Sequence, residues 1–281
     1  MRHYRRAGLT FDVHDAGPPD GDPVVLLHGF PQGASCWRDV VPALHAAGFR
    51  TLAPDQRGYS PRARPGATSA YRWRELVDDV LALLDAAEAP RAHVVGHDWG
   101  GGVAWALGAT APDRVRTLAV VSTPHPAAMR RSLLRGQLLR SWYMGLFQVP
   151  WLAERLLAPD GRFWTAVRDD LPDDFAAGYA ERMRDRAART AALAWYRAIP
   201  AEVTRPSVAV GPVDVPTLYV WGDRDPALGA AAARATRECV RGPYRFEVLA
   251  GAGHWIPETR GPELAVLLLE HLGPPGESTA R

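Results

Sequence analysis

Lysine is absent from this chain, and all 33 of its basic residues are arginines. Without lysine, the chain lacks the phosphate-binding side chain of a P-loop and cannot form a Schiff base with a carbonyl substrate. The arginines are interspersed with 31 acidic residues, which leaves a net charge of +2 over 281 residues. Because no basic stripe stands out, we expect no nucleic-acid partner.

Cysteine is scarce and long apolar runs are missing. The two cysteines, Cys36 and Cys239, form no C-x-x-C pair, which favours reduced thiols in a cytoplasmic protein. Residues 1–6 are basic, but the polar, alternating segment 9–17 cannot serve as the core of a signal peptide. No run approaches the ~20 apolar residues of a membrane span, so we expect no membrane partner.

Strand-like and helix-like segments alternate along most of the chain. Apolar strands are predicted at 24–27, 50–53, 93–95, 115–121, 217–221 and 245–249. Helices are predicted between them, at 36–47, 71–87, 101–109 and 262–272. This alternation predicts an α/β protein with a mostly parallel sheet covered by helices on both faces.

The alternation stops after residue 125. Residues 126–212 are helical in character, interrupted by prolines, and contain no convincing strand. We therefore predict an α/β core made of residues 1–125 and 213–272, with 126–212 inserted as a helical lid. The Pro/Gly/Ser-rich tail, 273–281, is predicted to be disordered.

The segment 96–100, GHDWG, places Asp98 at the tip of a predicted strand-to-helix turn. Small residues two positions before and after the central residue let the backbones approach closely, as in a nucleophile elbow. A carboxylate there can attack an alkyl carbon and form an ester that is later hydrolysed. The alternative is a glycine-rich turn with Asp98 as helix N-cap. Metal and dinucleotide sites are weaker interpretations, because neither a metal-ligand spacing nor G-x-G-x-x-G accompanies the segment.

A nucleophile elbow needs an acid and then a histidine later in the chain, and both occur at the ends of predicted strands. His254 lies in a glycine-bracketed loop after the strand at 245–249. Asp223 and Asp225 both follow the strand at 217–221. Asp225 is favoured as the acid because it lies further into the loop, whereas Asp223 would brace the turn. A lone loop histidine is more often a solvated surface residue, but three residues in this order favour a triad.

The segment 28–31, HGFP, follows the strand expected to neighbour the elbow. The backbone N–H groups of Phe30 and Trp99 are expected to form an oxyanion hole. His28 is expected to brace the loop. His97 is expected to point away from the pocket, since the elbow exposes only its central side chain.

Four motifs carry a resemblance to a known family: HGFP at 28–31, DQRGYS at 55–60, GHDWGG at 96–101 and GHW at 253–255. Through them the chain resembles the soluble-type epoxide hydrolases of the α/β-hydrolase fold over nearly its whole length. Haloalkane dehalogenases share these motifs, so they indicate the aspartate-nucleophile branch and not one reaction.

Residues of the predicted lid distinguish epoxide hydrolases from haloalkane dehalogenases. Epoxide hydrolases of this type carry two lid tyrosines that hold and protonate the epoxide oxygen, and the segments 141–148 and 194–197 match them at Tyr143 and Tyr196. Either tyrosine could instead be an aromatic residue of the lid core. Many haloalkane dehalogenases carry an asparagine where this chain has Phe30, and fluoroacetate-type dehalogenases carry arginines just after the nucleophile. This chain has neither, which favours the epoxide reaction.

The resemblance thus implies an epoxide hydrolase that converts an epoxide and water to a vicinal diol through an ester on Asp98, with no cofactor and no metal. A serine esterase is excluded by Asp98 itself, and a non-catalytic receptor of this fold would be expected to lose a triad member. An apolar pocket wall is expected from Phe30, Trp99, Trp142 and Trp195, which favours a small apolar or aromatic epoxide. The substrate, its regio- and enantioselectivity and the oligomeric state stay open, with a homodimer among the alternatives.

Overall fold

The computed structural model describes residues 1–133, 136–161 and 170–276. Within these residues one sheet of eight strands runs in the order β1-β2-β4-β3-β5-β6-β7-β8. The strands are β1 His3–Arg6, β2 Leu9–Ala16, β3 Pro23–Leu27, β4 Arg50–Pro54, β5 Ala92–His97, β6 Val115–Val121, β7 Thr217–Gly222 and β8 Tyr244–Leu249.

Strands β3 to β8 run parallel to one another, and the antiparallel pairs among the described strands are β1 with β2 and β2 with β4. The predicted α/β fold with a mostly parallel sheet is therefore confirmed. The β1–β2 hairpin was not predicted from the sequence. Its strands lie at the edge of the sheet, where one face remains in solvent, so they lack the continuous apolar run of a buried strand such as β5.

Helices cover the sheet and fill the long insertion between β6 and β7. They are α1 Val41–Ala46, α2 Trp73–Ala86, α3 Trp99–Thr110, α4 Pro126–Arg131, α5 Gln137–Arg140, α6 Trp142–Leu146, α7 Leu152–Leu156, α8 Asp173–Arg182, α9 Arg186–Thr204, α10 Ala230–Ala235, α11 Ile256–Thr259 and α12 Gly261–Leu272. The single helix predicted at 36–47 is wrong. A 3₁₀ turn at Ala34–Trp37 precedes α1, because Pro42 has no N–H with which to continue a helix from residue 36.

The insertion is anchored to the sheet domain through α9. Trp195 Nε1 donates to the Arg57 carbonyl at 2.8 Å, and Glu202 accepts from Arg72 Nε at 2.9 Å. Between β6 and β7 the described residues form helices and loops and no extended strand. None of the helices in the described ranges is long and apolar enough to cross a membrane.

The predicted disordered tail, 273–281, is described only as far as residue 276. The Gly276 N–H donates to Asp22 Oδ2 at 2.7 Å, which ties this end of the chain to the loop before β3. Residues 277–281 lie outside the described part.

Candidate active site

Asp98 lies at the junction of β5 and α3 with φ of 51° and ψ of −120°, a backbone conformation that is strained for a residue with a side chain. The turn is as tight as the glycine spacing predicts. A Cβ on Gly96 would lie 2.3 Å from the Gly100 carbonyl oxygen, and one on Gly100 would lie 2.2 Å from the Leu27 oxygen. The elbow therefore requires glycine at both positions, and it directs the Asp98 carboxyl group out of the sheet edge.

The structure brings Asp98, Asp225 and His254 together. His254 Nδ1 lies 2.8 Å from Asp225 Oδ2, and His254 Nε2 lies 3.5 Å from Asp98 Oδ2. Asp225 Oδ1 accepts the N–H groups of Ala227 and Leu228 at 2.8 and 2.9 Å, which fixes the carboxylate in the loop after β7. These contacts hold the imidazole edge-on between two carboxylates.

Asp223, the alternative acid, lies outside this arrangement. Its Oδ1 accepts the Gly251 N–H at 2.7 Å and braces the turn between β7 and β8. The geometry therefore favours Asp225 as the partner of His254.

Charge and burial shift the pKa values of His254 and Asp98 in opposite directions. Burial lowers the pKa of His254, but the charge and hydrogen bond of Asp225, together with Asp98, raise that pKa well above its ordinary value. Burial raises the pKa of Asp98, but the hydrogen bond and charge of His254 outweigh it and hold the pKa below its usual range. At rest the protonated form of His254 and the ionised form of Asp98 are therefore favoured.

The loop after β3 contacts Asp98 directly. The Phe30 N–H donates to Asp98 Oδ1 at 2.8 Å. A Cβ on Gly29 would lie 2.3 Å from Asp98 Cβ, so only glycine allows this approach. The Trp99 N–H, the first of α3, stays a predicted second donor.

The two predicted tyrosines meet above Asp98. Their ring centroids are 6.2 Å apart, with Tyr143 on α6 and Tyr196 on α9. Burial raises the pKa of both phenols, and the negative charge of Asp98 raises it further. Both hydroxyls therefore keep their protons and lie within electrostatic range of the same carboxylate.

Aromatic rings surround Tyr196, but one predicted wall residue is not among them. Tyr196 lies 5.0 Å from Trp99 and 5.2 Å from Phe30, between ring centroids. Trp195 is 1% exposed and packs behind Trp99 at 5.4 Å. Trp142 is 64% exposed, so its predicted place in the wall is wrong. Consecutive residues of a helix point about 100° apart, and α6 turns Tyr143 inward and Trp142 outward.

The sequence analysis missed a buried polar group behind the triad. Gln32 Nε2 and the Tyr179 hydroxyl both donate to Glu258 Oε1, and burial raises the pKa of Glu258 to about 7. His97 points away from the pocket, as predicted, with Nδ1 2.9 Å from Gln32 Oε1 and Nε2 2.9 Å from the His254 carbonyl oxygen. The sequence offered one signal for this group: each residue lies close to a conspicuous motif, Gln32 directly after HGFP and Glu258 shortly after GHW.

His28 braces the loop from below. Its Nε2 accepts the Gln56 N–H at 3.1 Å, and its Nδ1 lies 2.8 Å from the Gly29 carbonyl. Burial lowers the pKa of His28 to about 4, so the ring is neutral and fits one donor and one acceptor. Within the described ranges, no group of three His, Cys, Asp or Glu side chains could hold a metal ion.

Known proteins resemble this chain in sequence and in fold. Residues 22–260 match the α/β hydrolase fold family. The chain is 35% identical to the AB hydrolase superfamily protein YfhM of Bacillus subtilis, over 94% of this chain and 95% of that protein. It is 34% identical to Epoxide hydrolase A of Mycobacterium tuberculosis, over 94% of both. The solved structure of Epoxide Hydrolase A from Mycobacterium thermoresistibile superposes with a TM-score of 0.83 at 31% identity, covering 96% of this chain and 97% of that one.

Proposed function

This chain belongs to the α/β-hydrolase fold family, among its epoxide hydrolases, and we propose that Asp98 is the nucleophile with which it converts an epoxide and water to a vicinal diol. One observation carries the proposal. Asp98 projects from the elbow with Oδ1 against the Phe30 N–H, Oδ2 against His254, and two protonated phenols within electrostatic range. A carboxylate in these surroundings is equipped to form and then lose an ester.

Ring opening is the first step of the proposed mechanism. Tyr143 and Tyr196 donate hydrogen bonds to the epoxide oxygen. Asp98 Oδ2 attacks a ring carbon from the opposite side, the carbon–oxygen bond breaks, and one phenol gives its proton to the departing oxygen. The step leaves a hydroxyalkyl ester on Asp98 and one tyrosinate.

Ester hydrolysis is the second step. Ester formation removes the charge of Asp98, and His254 passes its proton to the tyrosinate. Neutral His254, oriented by Asp225, then takes a proton from water as the water oxygen attacks Asp98 Cγ. The negative charge develops on Oδ1, the atom that already accepts the Phe30 N–H at 2.8 Å. The intermediate collapses, the diol leaves with the proton from His254, and the proton left on the regenerated Asp98 carboxyl group passes to His254, which restores the resting state.

The lid tyrosines favour this chemistry over halide displacement. An opening epoxide generates an alkoxide, which needs a proton donor, whereas a departing halide needs none. The chain also contains no asparagine, so the halide-binding amide of many haloalkane dehalogenases has no counterpart. We propose that residues 126–212 act as the lid that brings both tyrosines over Asp98.

The substrate class follows from the rings around the phenols. Phe30, Trp99 and Phe147 all lie within 5.2 Å of Tyr196, between ring centroids. Such surroundings favour a small apolar or aromatic epoxide over a charged one. A cytoplasmic location belongs to the same proposal, and the two unpaired, buried thiols, Cys36 and Cys239, support it.

The proposal is tested by single turnover of styrene oxide in heavy-oxygen water, with a panel of 1-haloalkanes run in parallel. Diol should form and the label should enter Asp98, while the first diol molecule stays unlabelled. Label found directly in that first diol would mean that water attacks the epoxide, and Asp98 would lose its proposed role. Halide release without diol formation would mean that the reaction is dehalogenation and not epoxide hydrolysis, with Asp98 still the nucleophile.

A further inference from the structure

A buried carboxylate lies behind the triad and takes no part in the proposed reaction. Glu258, on α11, is 5% exposed, and its Oε1 accepts from Gln32 Nε2 at 2.5 Å and from the Tyr179 hydroxyl at 2.8 Å. Its Oε2 is buried and has no hydrogen-bond partner within the part of the chain that the structure describes. Because a buried carboxylate oxygen without a donor is destabilising, packing alone does not account for glutamate at this position.

Glu258 determines the direction of the Gln32 amide. Since Nε2 of Gln32 donates to Glu258, its Oε1 faces the catalytic loop and accepts the Gly29 N–H at 2.6 Å. The same oxygen lies 2.9 Å from His97 Nδ1. Burial lowers the pKa of His97 to about 4, so the neutral ring donates its one proton either to this oxygen or to the His254 carbonyl oxygen, which lies 2.9 Å from Nε2.

The loop that Gln32 holds carries the donor for the oxyanion. The Gly29 N–H is bonded to Gln32, and the next N–H, of Phe30, donates to Asp98 Oδ1. Gly29 and Asp98 are packed without free space, as a Cβ on Gly29 would lie 2.5 Å from Asp98 Oδ1. A reversed Gln32 amide would direct its NH₂ group at the Gly29 N–H, donor against donor, and would displace the loop.

We propose that Glu258 is a positioning residue for ester hydrolysis, because it fixes the Gln32 amide and thereby the Phe30 N–H that receives the oxyanion. The inference rests on the proposed function of Asp98. Tyr179 connects the same carboxylate to lid helix α8, so the lid and the oxyanion donor share one anchor. Ring opening does not place charge on Oδ1, so it depends less on this anchor than hydrolysis does.

The test compares Glu258→Gln with the exchanged pair Gln32→Glu/Glu258→Gln, using single turnover of styrene oxide and intact mass to follow the Asp98 ester. In Glu258→Gln two amides face each other and either can reverse, so ester breakdown should slow by roughly 10- to 100-fold while ester formation changes little. In the exchanged pair a carboxylate at position 32 accepts from Gly29 and His97, and the amide at 258 donates to it. Breakdown should therefore recover toward the wild-type rate.

Glu202→Gln is the matched control. Glu202 is another buried glutamate, far from Gln32 in the chain, and glutamine keeps an oxygen that can accept from Arg72 Nε, so both rates should stay unchanged. Wild-type ester breakdown in Glu258→Gln, or an exchanged pair no faster than Glu258→Gln, would overturn the inference.

Two further measurements keep the test decisive. If Glu258→Gln does not fold, Gln32→Met, which removes the amide at similar length, must show the same selective slowing of breakdown. Equal rates of breakdown in Gln32→Met and the wild type would overturn the inference. If no ester forms in the wild type or any variant, the proposed role of Asp98 fails instead, so the two failures are distinguishable.

Discussion

His254 and Asp225 are joined by a hydrogen bond of 2.8 Å between Nδ1 and Oδ2, and the other ring nitrogen of His254 lies 3.5 Å from Asp98. The imidazole therefore links Asp225 to the carboxyl group that becomes an ester in the proposed mechanism. Asp225 is fixed by two backbone N–H groups, so it cannot follow the ring if the ring moves. Substitutions on the two sides of His254 should consequently affect different steps.

Asp225→Asn should slow ester hydrolysis by roughly 100-fold or more, because an amide neither fixes the required tautomer nor stabilises the imidazolium. Asp223→Asn is the matched control, since Asp223 braces the turn at Gly251 and does not contact His254 in the described structure. Steady-state diol formation measures both variants. A larger loss in Asp223→Asn than in Asp225→Asn would identify Asp223 as the acid.

His254→Gln should leave ring opening intact and stop hydrolysis, because only the second step needs water to be activated. After addition of epoxide, the intact mass should rise by one substrate mass and stay there. A folded His254→Gln protein that binds the epoxide but gains no mass would contradict the two-step scheme.

Ester hydrolysis should fail at low pH before ring opening does. At rest, Asp225 and Asp98 raise the pKa of His254 well above its ordinary value, so the ring is protonated. Ester formation removes the charge of Asp98, so the pKa of His254 falls and the ring can lose its proton and act as base. Below that lowered pKa the ring stays protonated and the ester should accumulate, which single-turnover mass spectra over a pH series would detect. Ester levels that do not rise as the pH falls would speak against His254 as the base.

Tyr143→Phe and Tyr196→Phe should each reduce epoxide turnover by roughly 10- to 1000-fold, the range usual for loss of a general acid or an oxyanion donor. The double variant should be nearly inactive, since no donor remains for the opening ring. Tyr244→Phe is the matched control, because the Tyr244 hydroxyl is buried without a hydrogen-bond partner in the described ranges. Wild-type epoxide turnover by the double variant would refute the role of the lid tyrosines.

Much of the fold and the site's framework could be predicted because the signals are local. Asp98, Asp225 and His254 each follow a predicted strand, and the carboxyl ends of parallel strands lie at one edge of the sheet. The elbow is specified by five consecutive residues, where glycine spacing and backbone geometry are directly linked.

The rest depends on contacts that leave no local pattern. Gln32 and Glu258 are 226 residues apart, and neither belongs to a periodic or motif-like series that would pair them. The orientation of Trp142 could not be predicted either, because α6 has five residues, too few for a helical period to show which face is buried. Strands β1 and β2, at one end of the sheet, were missed because neither has a continuous run of buried residues.

Tyr143 and Tyr196, the two proposed proton donors, lie on helices of very different length. Tyr196 belongs to the 19-residue α9, and its neighbour Trp195 is bonded to the Arg57 carbonyl of the sheet domain, whereas Tyr143 belongs to the five-residue α6. Changes of sequence or length in the short helices α5 to α7 can therefore move one donor while the other keeps its place. Directed evolution toward bulkier epoxides should diversify α5 to α7 and leave α9 unaltered, so that every library member retains one donor over Asp98.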